Sequence, residues 1–167
     1  MTDASEERVA AFVALVREQD RSLRAFTYRL VGGDVEDVLQ AAYLAAFRAM
    51  PEFRGDSSMT SWLHRIVYTT AINHLRSRRR RIRYDQFGAV AESGGDFAVS
   101  LPGRLDLAGV LSRLPVDQRA ALLLVDGQGF SYDDAAAVLG VSAGTVASRL
   151  NRARLRVRAT LNPERAG

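Results

Sequence analysis

The chain of 167 residues contains no cysteine and no lysine, and it has only four prolines and two histidines. Without cysteine it can form neither disulfide bonds nor thiolate metal sites. His64 and His74 cannot build a metal site by themselves, so we expect no cofactor. No run of about 18 apolar residues is present, and we therefore expect no membrane insertion. The first residues lack the basic-then-apolar order of a secretory signal, which indicates a cytoplasmic protein.

The overall composition is that of a globular protein. Hydrophobic residues make up 47% of the chain and charged residues 25%, which is ordinary for such proteins, and the length fits one or two small domains. All 23 basic residues are arginine. A GC-rich genome would explain the choice of arginine over lysine, but it would not explain where the arginines lie.

Charge alternates along the chain in four blocks. Residues 1–61 carry a net charge of −3, residues 62–84 +7, residues 85–146 −5 and residues 147–167 +5. The two basic blocks predict two anion-binding surfaces on otherwise acidic bodies.

Apolar residues recur at helical spacing along most of the chain, and no strand-like alternation competes with them. Gly32 and Gly33 end a first helix, Asp34 caps a second one, and a third begins near Ser58. Residues 85–105 contain glycine, serine and proline without a period, which is typical of a flexible linker.

The sequence therefore predicts an all-α fold of two small helical domains. We expect an N-terminal helical bundle over residues 1–84 and a C-terminal helix-turn-helix domain over residues 106–161, joined by the linker.

The stretch "SYDDAAAVLGVSAGTVASRLNRARLRVR" carries the strongest local pattern. Ser131 opens a short helix, Gly140 forms a tight turn, and Ser142 caps a second helix, as in a helix-turn-helix motif. We call one side of that second helix the recognition face: Thr145, Ser148, Arg149, Arg152 and Arg156.

Serine and threonine can contact phosphates or base edges, and arginine can bind guanine through two hydrogen bonds. In a helix-turn-helix the second helix enters the major groove, so the recognition face predicts binding to duplex DNA. The other interpretation is an ordinary helical hairpin with a solvated arginine side.

The stretch "TSWLHRIVYTTAINHLRSRRRRIRY", residues 60–84, contains seven arginines and no acidic residue. Treated as a helix, it gathers Leu63, Ile66, Val67, Ala71 and Leu75 on a core side. The opposite side, the tryptophan–arginine face, comprises Trp62, Arg65, Thr69, Asn73, Arg76, Arg80 and Arg83.

Aromatic rings that stack on bases, next to arginines for the phosphates, are typical of sites for single-stranded nucleic acid. Two plainer interpretations stay open. Trp62 could pack in the core, and the segment over residues 76–83 could be a solvated tail.

The second helix places Leu44 and Phe47 on its polar side, beside Asp37 and Gln40. An amphipathic surface helix should not expose a phenylalanine there. Either a neighbouring helix covers it or a protein partner does.

Three segments in this order resemble one bacterial family: "GDVEDVLQAAYLAAFRAM", "FRGDSSMTSWLHRIVYTTAINHLRSRRRR" and "LPVDQRAALLLVDGQGFSYDDAAAVLGVSAGTVASRLNRAR". They resemble the extracytoplasmic-function (ECF) sigma factors, group 4 of the sigma-70 family. The resemblance covers about residues 8–160.

The resemblance implies a non-enzymatic subunit that makes core RNA polymerase promoter-specific. Its partners would be the β′ clamp helices and the β flap of the polymerase, promoter DNA in duplex and single-stranded form, and an anti-sigma factor. The N-terminal domain would melt the minus-ten element and hold its non-template strand, and the C-terminal domain would bind the minus-thirty-five duplex.

The resemblance also implies roles for individual residues. The minus-thirty-five duplex would contact the recognition face, with Ser148 and Arg152 the best candidates. The minus-ten strand would contact Trp62, Arg65, Thr69, Asn73, Arg76 and Arg80. A flipped base would enter the loop of Phe53, Arg54, Gly55, Asp56 and Ser57. Polymerase would contact a docking face formed by Asp34, Asp37, Gln40, Leu44 and Phe47.

Three positions depart from the family pattern. Ala41 stands where a glutamate is common, Thr69 where asparagine is usual, and Ala147 where lysine or arginine is frequent. These departures bear on the target sequence more than on the role.

Two other classes of protein compete with this interpretation. A stand-alone dimeric helix-turn-helix regulator would bind a palindrome, with half-sites about one helical turn apart. A DNA-processing enzyme such as a recombinase or nuclease would need a carboxylate metal site or an activated nucleophile. The acidic residues at 34–37 and 133–134 open helices instead, where capping explains them.

Overall fold

The computed structural model describes residues 3–85 and 107–162, and within them it contains helices and no strand. The all-α prediction is confirmed. The predicted linker, apart from its first residue, lies outside the described residues.

The N-terminal half of the described chain has three helices: α1 (Asp3–Val31), α2 (Val35–Ala49) and α3 (Met59–Asp85). A 3-10 turn over Met50–Glu52 follows α2. The C-terminal half has four helices: α4 (Leu107–Ser112), α5 (Val116–Leu122), α6 (Tyr132–Leu139) and α7 (Ala143–Leu161). A π-helical turn, Leu123–Gly127, continues α5.

Most predicted helix ends are confirmed by their hydrogen bonds. Gly32 adopts a left-handed φ of 80° directly after α1, and Gly140 a φ of 67° directly after α6. The Ser131 hydroxyl accepts a hydrogen bond from the Asp134 amide at 3.0 Å, and the Ser142 hydroxyl accepts one from the Thr145 amide at 3.1 Å. These two caps set where α6 and α7 begin.

The predicted cap at Asp34 is wrong. Asp34 precedes α2 but has a left-handed φ of 53° and makes no side-chain hydrogen bond to the helix amides. A capping side chain needs extended backbone to reach those amides, so this conformation turns the carboxylate away. Its Oδ2 lies 3.1 Å from Nε2 of His74 on α3 instead.

The N-terminal core forms between three amphipathic helices. The predicted core side of α3 is confirmed, because Leu63, Val67 and Ala71 are fully buried. They meet Leu23, Phe26 and Leu30 from α1 and Val38, Leu39, Ala42 and Ala46 from α2. In the C-terminal half, α7 buries Val146, Leu150 and Ala153. Each half thus leaves the opposite, arginine-bearing side of its long helix exposed.

The two halves contact each other along α3 and α1. The ring of Phe130, which precedes α6, packs edge-on against His64 of α3, with 4.9 Å between ring centroids. Arg119 on α5 donates a hydrogen bond to the carbonyl of Leu30 at 2.7 Å, and Gln128 donates one to the carbonyl of Ser22 at 2.8 Å. Side chains of the C-terminal half therefore bind backbone groups of α1.

Candidate nucleic-acid interface

The tryptophan–arginine face of α3 is exposed along its length, except at Trp62, which is half-buried. The Trp62 ring packs on Phe53 of the preceding loop, with 5.3 Å between ring centroids. The tryptophan also packs against the hydrophobic core with its buried part, as one of the two plainer interpretations allowed. It forms, with Phe53, an aromatic step at the start of the helix, where a base could stack.

Among the described residues, the arginines of this face have no carboxylate partner. Within residues 3–85 and 107–162, none of Arg65, Arg76, Arg80 and Arg83 forms an ion pair. A groove of about 470 Å³ runs along the end of α3, lined by Asn73, Arg76, Ser77, Arg79, Arg80 and Arg83. An open, uncompensated cationic groove of this kind suits a polyanion.

The loop between α2 and α3 places five exposed or half-buried residues beside Trp62: Phe53, Arg54, Gly55, Asp56 and Ser57. Gly55 has a left-handed φ of 79°, which a side chain would disfavour. The loop ends at Ser58, whose hydroxyl accepts a hydrogen bond from the Ser61 amide at 3.0 Å. The predicted base-binding loop and the aromatic step are therefore neighbours.

The recognition face of α7 divides into two groups. Ser148, Arg152 and Arg156 are exposed, and Thr145 is held by the Ser142 hydroxyl at 2.9 Å. Arg149 instead forms an ion pair with Asp117 of α5, with 3.4 Å between Nε and Oδ2. The structure thus leaves three of the five predicted side chains exposed, half-buries Thr145 and ties Arg149 to a neighbouring helix.

The docking face lies on a different side of the N-terminal half. Asp37, Gln40, Leu44 and Phe47 are spaced to share one face of α2, and all are exposed. Leu44 is 50% exposed and Phe47 45%. The edge-on contact of Phe47 with Phe12 of α1, at 5.6 Å between centroids, leaves nearly half of the ring in solvent. The neighbouring helix covers this ring only in part.

A polar cluster holds α2 against α1 with the docking face outward. Arg24 pairs with Asp20 and Glu36, and the Tyr43 hydroxyl donates a hydrogen bond to Asp20 at 3.1 Å. Burial of Tyr43, and then its bond to Asp20, raise the pKa of that hydroxyl, so it stays a donor.

Sequence reasoning missed three residues that join the halves: His64, Arg119 and Gln128. Burial lowers the pKa of His64, so the neutral ring is favoured. Its Nδ1 lies 2.9 Å from the Thr60 carbonyl oxygen, and Nδ1 must therefore carry the proton. One signal was available, because His64 follows Leu63 on the apolar side of α3.

Arg119 forms more hydrogen bonds than His64 or Gln128, and one of them crosses to the N-terminal half. Its guanidinium donates to three carbonyls, those of Leu30, Ser112 and Leu114, at 2.7 to 3.0 Å. Burial, and then the positive charge of Arg79, lower the pKa of Arg119. Nothing local in the sequence distinguishes it from an exposed arginine.

Among the described residues, no group of three or more histidine, cysteine, aspartate or glutamate side chains could hold a metal ion. None of the described helices is both long and apolar enough to cross a membrane.

Comparison with known proteins finds a family match in each half of the chain. The family models for Sigma-70 region 2 and Sigma-70, region 4 match residues 15–81 and 104–157. The ECF RNA polymerase sigma-E factor of Escherichia coli (strain K12) is 38% identical over 158 residues, covering 86% of this chain and 83% of the relative. The ECF RNA polymerase sigma factor EcfG of Rhodopseudomonas palustris (strain TIE-1) is 35% identical, with 96% and 87% covered.

A solved structure matches over nearly the whole chain. The sigma factor RpoE in complex with the anti-sigma factor NepR from Bartonella quintana has a TM-score of 0.70 and 32% identity, covering 99% of this chain and 100% of its own. The chain therefore belongs to the extracytoplasmic-function sigma factors of RNA polymerase.

Proposed function

We propose that this sigma factor directs core RNA polymerase to its promoters by binding one DNA in two states. The tryptophan–arginine face of α3 holds the opened minus-ten strand, and the recognition face of α7 binds the minus-thirty-five duplex. The observation that carries the proposal is the presence of two exposed arginine surfaces, one with an aromatic step and one on a helix-turn-helix.

The opening step follows from differential binding. Unpairing and unstacking bases costs a few kcal/mol, and a surface that binds the opened strand better than the duplex offsets that cost. Trp62 and Phe53 supply rings for stacking, and the unpaired arginines of α3 supply charge for the phosphates. The loop of Phe53, Arg54, Gly55, Asp56 and Ser57 takes the flipped base.

The upstream element is bound as duplex. Arg152 and Ser148 reach base edges in the major groove, and Thr145 and Arg156 contact the backbone on either side. Arg149 orients α7 through Asp117 in the free protein. Ala147 offers no phosphate contact at a position where the family often has a cation.

The docking face binds the β′ clamp helices of the polymerase. Leu44 and Phe47 supply apolar area at its centre, and Asp37, Gln40 and Asp34 surround them, which is the arrangement of a protein interface with a polar rim. The C-terminal half binds the β flap.

The two halves must separate for this function. The Arg65 guanidinium lies about 4 Å from where a side chain at Gly140 would begin, so the tryptophan–arginine face lies beside the turn that precedes the recognition helix. Elements centred about 25 base pairs apart lie about 85 Å apart along a straight duplex. The 21 residues between α3 and α4 can span about 70 Å. Together with the lengths of the helices, this is enough for the two halves to reach both promoter elements.

The protein acts in the cytoplasm and is not itself an enzyme, because the polymerase performs the chemistry. An anti-sigma factor controls it by covering these surfaces. Support for that partner comes from the similar RpoE chain, which was solved in complex with NepR.

Reconstitution tests the proposal. Core polymerase with the purified full chain should give discrete run-off transcripts from promoters of the source genome, and the chain alone should bind promoter duplex poorly. Transcription that stays at background with every promoter would overturn it. A palindromic footprint on duplex DNA without polymerase would instead support a stand-alone regulator.

A further inference from the structure

The end of α3 has arginines that the tryptophan–arginine face does not use. Ala71 is the last buried residue of α3, and the helix continues to Asp85 with no further buried side chain among those described. We call residues 76–84 the arm. It contains six arginines and no acidic residue.

The arginines of the arm point to two opposite sides. At 100° per residue, Arg76, Arg80 and Arg83 continue the tryptophan–arginine face. Arg78 and Arg81 lie about 140° to 200° around the helix from Arg76. On a helix that still packed on the core, that side would be buried, but here Arg81 is exposed and Arg78 half-buried.

No protein group in the described chain neutralises this charge. None of the six arginines forms an ion pair within residues 3–85 and 107–162, and Arg80 donates only to the Ser77 hydroxyl, at 3.3 Å. Arginines three and four residues apart repel one another and destabilise the helix. A polyanion that contacts both sides would relieve that repulsion.

We propose that the arm binds both strands of the duplex DNA between the minus-ten and minus-thirty-five elements, with Arg78 and Arg81 on one strand and Arg83 on the other. An α-helix with its side chains is about 10–12 Å wide, and the major groove is about 12 Å wide, so cations on opposite sides of a helix reach both backbones. A single strand would contact one side only. The proposal rests on the proposed function.

The position of the arm along the DNA follows from the chain. Arg81 lies about 28 Å along α3 from Trp62, which is about eight base pairs of duplex. The chain leaves α3 at the end of the arm and continues to the half that binds the upstream element. The arm therefore points upstream of the opened strand rather than downstream.

A membrane surface fits the arm less well. An interfacial helix needs one continuous apolar side. The two large apolar residues of the arm, Ile82 and Tyr84, are about 160° apart around the helix, and both are exposed.

The test uses holoenzyme, formed from core polymerase and the full chain, on a promoter found by run-off transcription. Three labelled DNAs are compared: a fork with the complete upstream duplex, a fork trimmed to the minus-ten element, and the minus-ten single strand alone. The variant is Arg78→Gln with Arg81→Gln, and Arg81→Gln alone serves if the double variant is less stable. Arg21→Gln with Arg29→Gln, two exposed arginines of α1, removes equal charge elsewhere.

On the complete fork, the double variant should reduce the slope of log K against log salt by about 1.8, and Arg81→Gln alone by about 0.9. Binding to the trimmed fork and to the single strand should equal that of the unaltered protein. An equal loss on the single strand would assign the arm to the opened DNA, and no loss on any DNA would assign it to solvent or to a protein. Either result overturns the proposal. If the unaltered holoenzyme bound no fork specifically, the proposed function would fail instead.

Discussion

The two arginine-rich helices, α3 and α7, hold their cations in different surroundings. On α7, Arg149 pairs with Asp117 and Arg154 with Asp126, at 3.4 and 2.7 Å. On α3, none of the arginines is paired within the described chain. Helix α7 uses part of its charge to fix its own orientation, whereas α3 leaves its arginines without a carboxylate partner among the described residues. The number of arginines in a helix therefore does not indicate which of them are paired within the protein and which are left exposed.

The largest expected effect concerns the open side of α7. Arg152→Glu should reduce promoter-specific transcription by about a hundredfold, because a two-bond arginine–base contact is worth about 1–3 kcal/mol and the new carboxylate repels phosphates. Binding of core polymerase, measured by copurification, should not change. Arg113→Glu, an exposed arginine on the same half, is the control. An equal loss of polymerase binding would contradict our assignment of the helix.

On α3, the combined change Arg76→Glu and Arg80→Glu should reduce open-complex formation about tenfold or more while leaving binding to the isolated minus-thirty-five duplex intact. The slope of log K against log salt for the opened strand should fall by about 1.4, since two single-strand phosphate contacts are lost. Permanganate footprinting reports the opened thymines. A footprint of unchanged strength would reject this role for α3, and Arg21→Glu with Arg29→Glu controls for net charge.

The buried side of α3 predicts a pH effect that α7 should not share. Because the pKa of His64 is lowered by burial, stability from the neutral ring is complete above the usual histidine pKa of about 6.5. This stability is lost as the pH falls from there toward the lowered pKa of the folded protein. The total loss is about 1.4 kcal/mol for each tenfold difference in proton affinity between the unfolded and the folded protein.

Urea unfolding between pH 5 and 8 measures this effect. His64→Phe keeps a ring between Phe26 and Phe130, and it should remove that part of the pH dependence. The control is His74→Gln, because His74 is more exposed than His64 and its ring lies against the exposed carboxylate of Asp34. If His64→Phe retained the full pH dependence, the buried neutral ring would not be its source.

The smallest effect separates paired from open arginines within α7. Arg149→Gln should lower the free energy of unfolding by about 0.5 kcal/mol, as expected for a partly exposed ion pair. It should weaken promoter binding much less than Arg152→Gln does. Equal losses of promoter binding from the two variants would contradict the distinction between paired and open arginines on α7. Arg149 would then leave Asp117 to contact DNA.

Much of the site could be predicted because its parts are local. Trp62, Arg76 and Arg80 share a face by helical spacing alone, and Ser142 and Gly140 set the turn through bonds to residues a few positions away. The cap at Asp34 was predicted wrongly, since its backbone is left-handed and its carboxylate contacts His74, 40 residues later. Phe47 is an intermediate case. The sequence left open whether a neighbouring helix or a protein partner covers its ring, and in the structure Phe12 of α1 covers it in part.

By itself, the sequence determined the helices, the caps at Ser131 and Ser142 and the two separate arginine faces, because each depends on residues one to four positions apart. Only the tertiary structure decided which arginines are available and how the halves meet. Arg149 and Asp117 are 32 positions apart, and Arg119 and the Leu30 carbonyl 89. Such pairs depend on where the packed helices bring distant side chains, and no spacing along the chain encodes that.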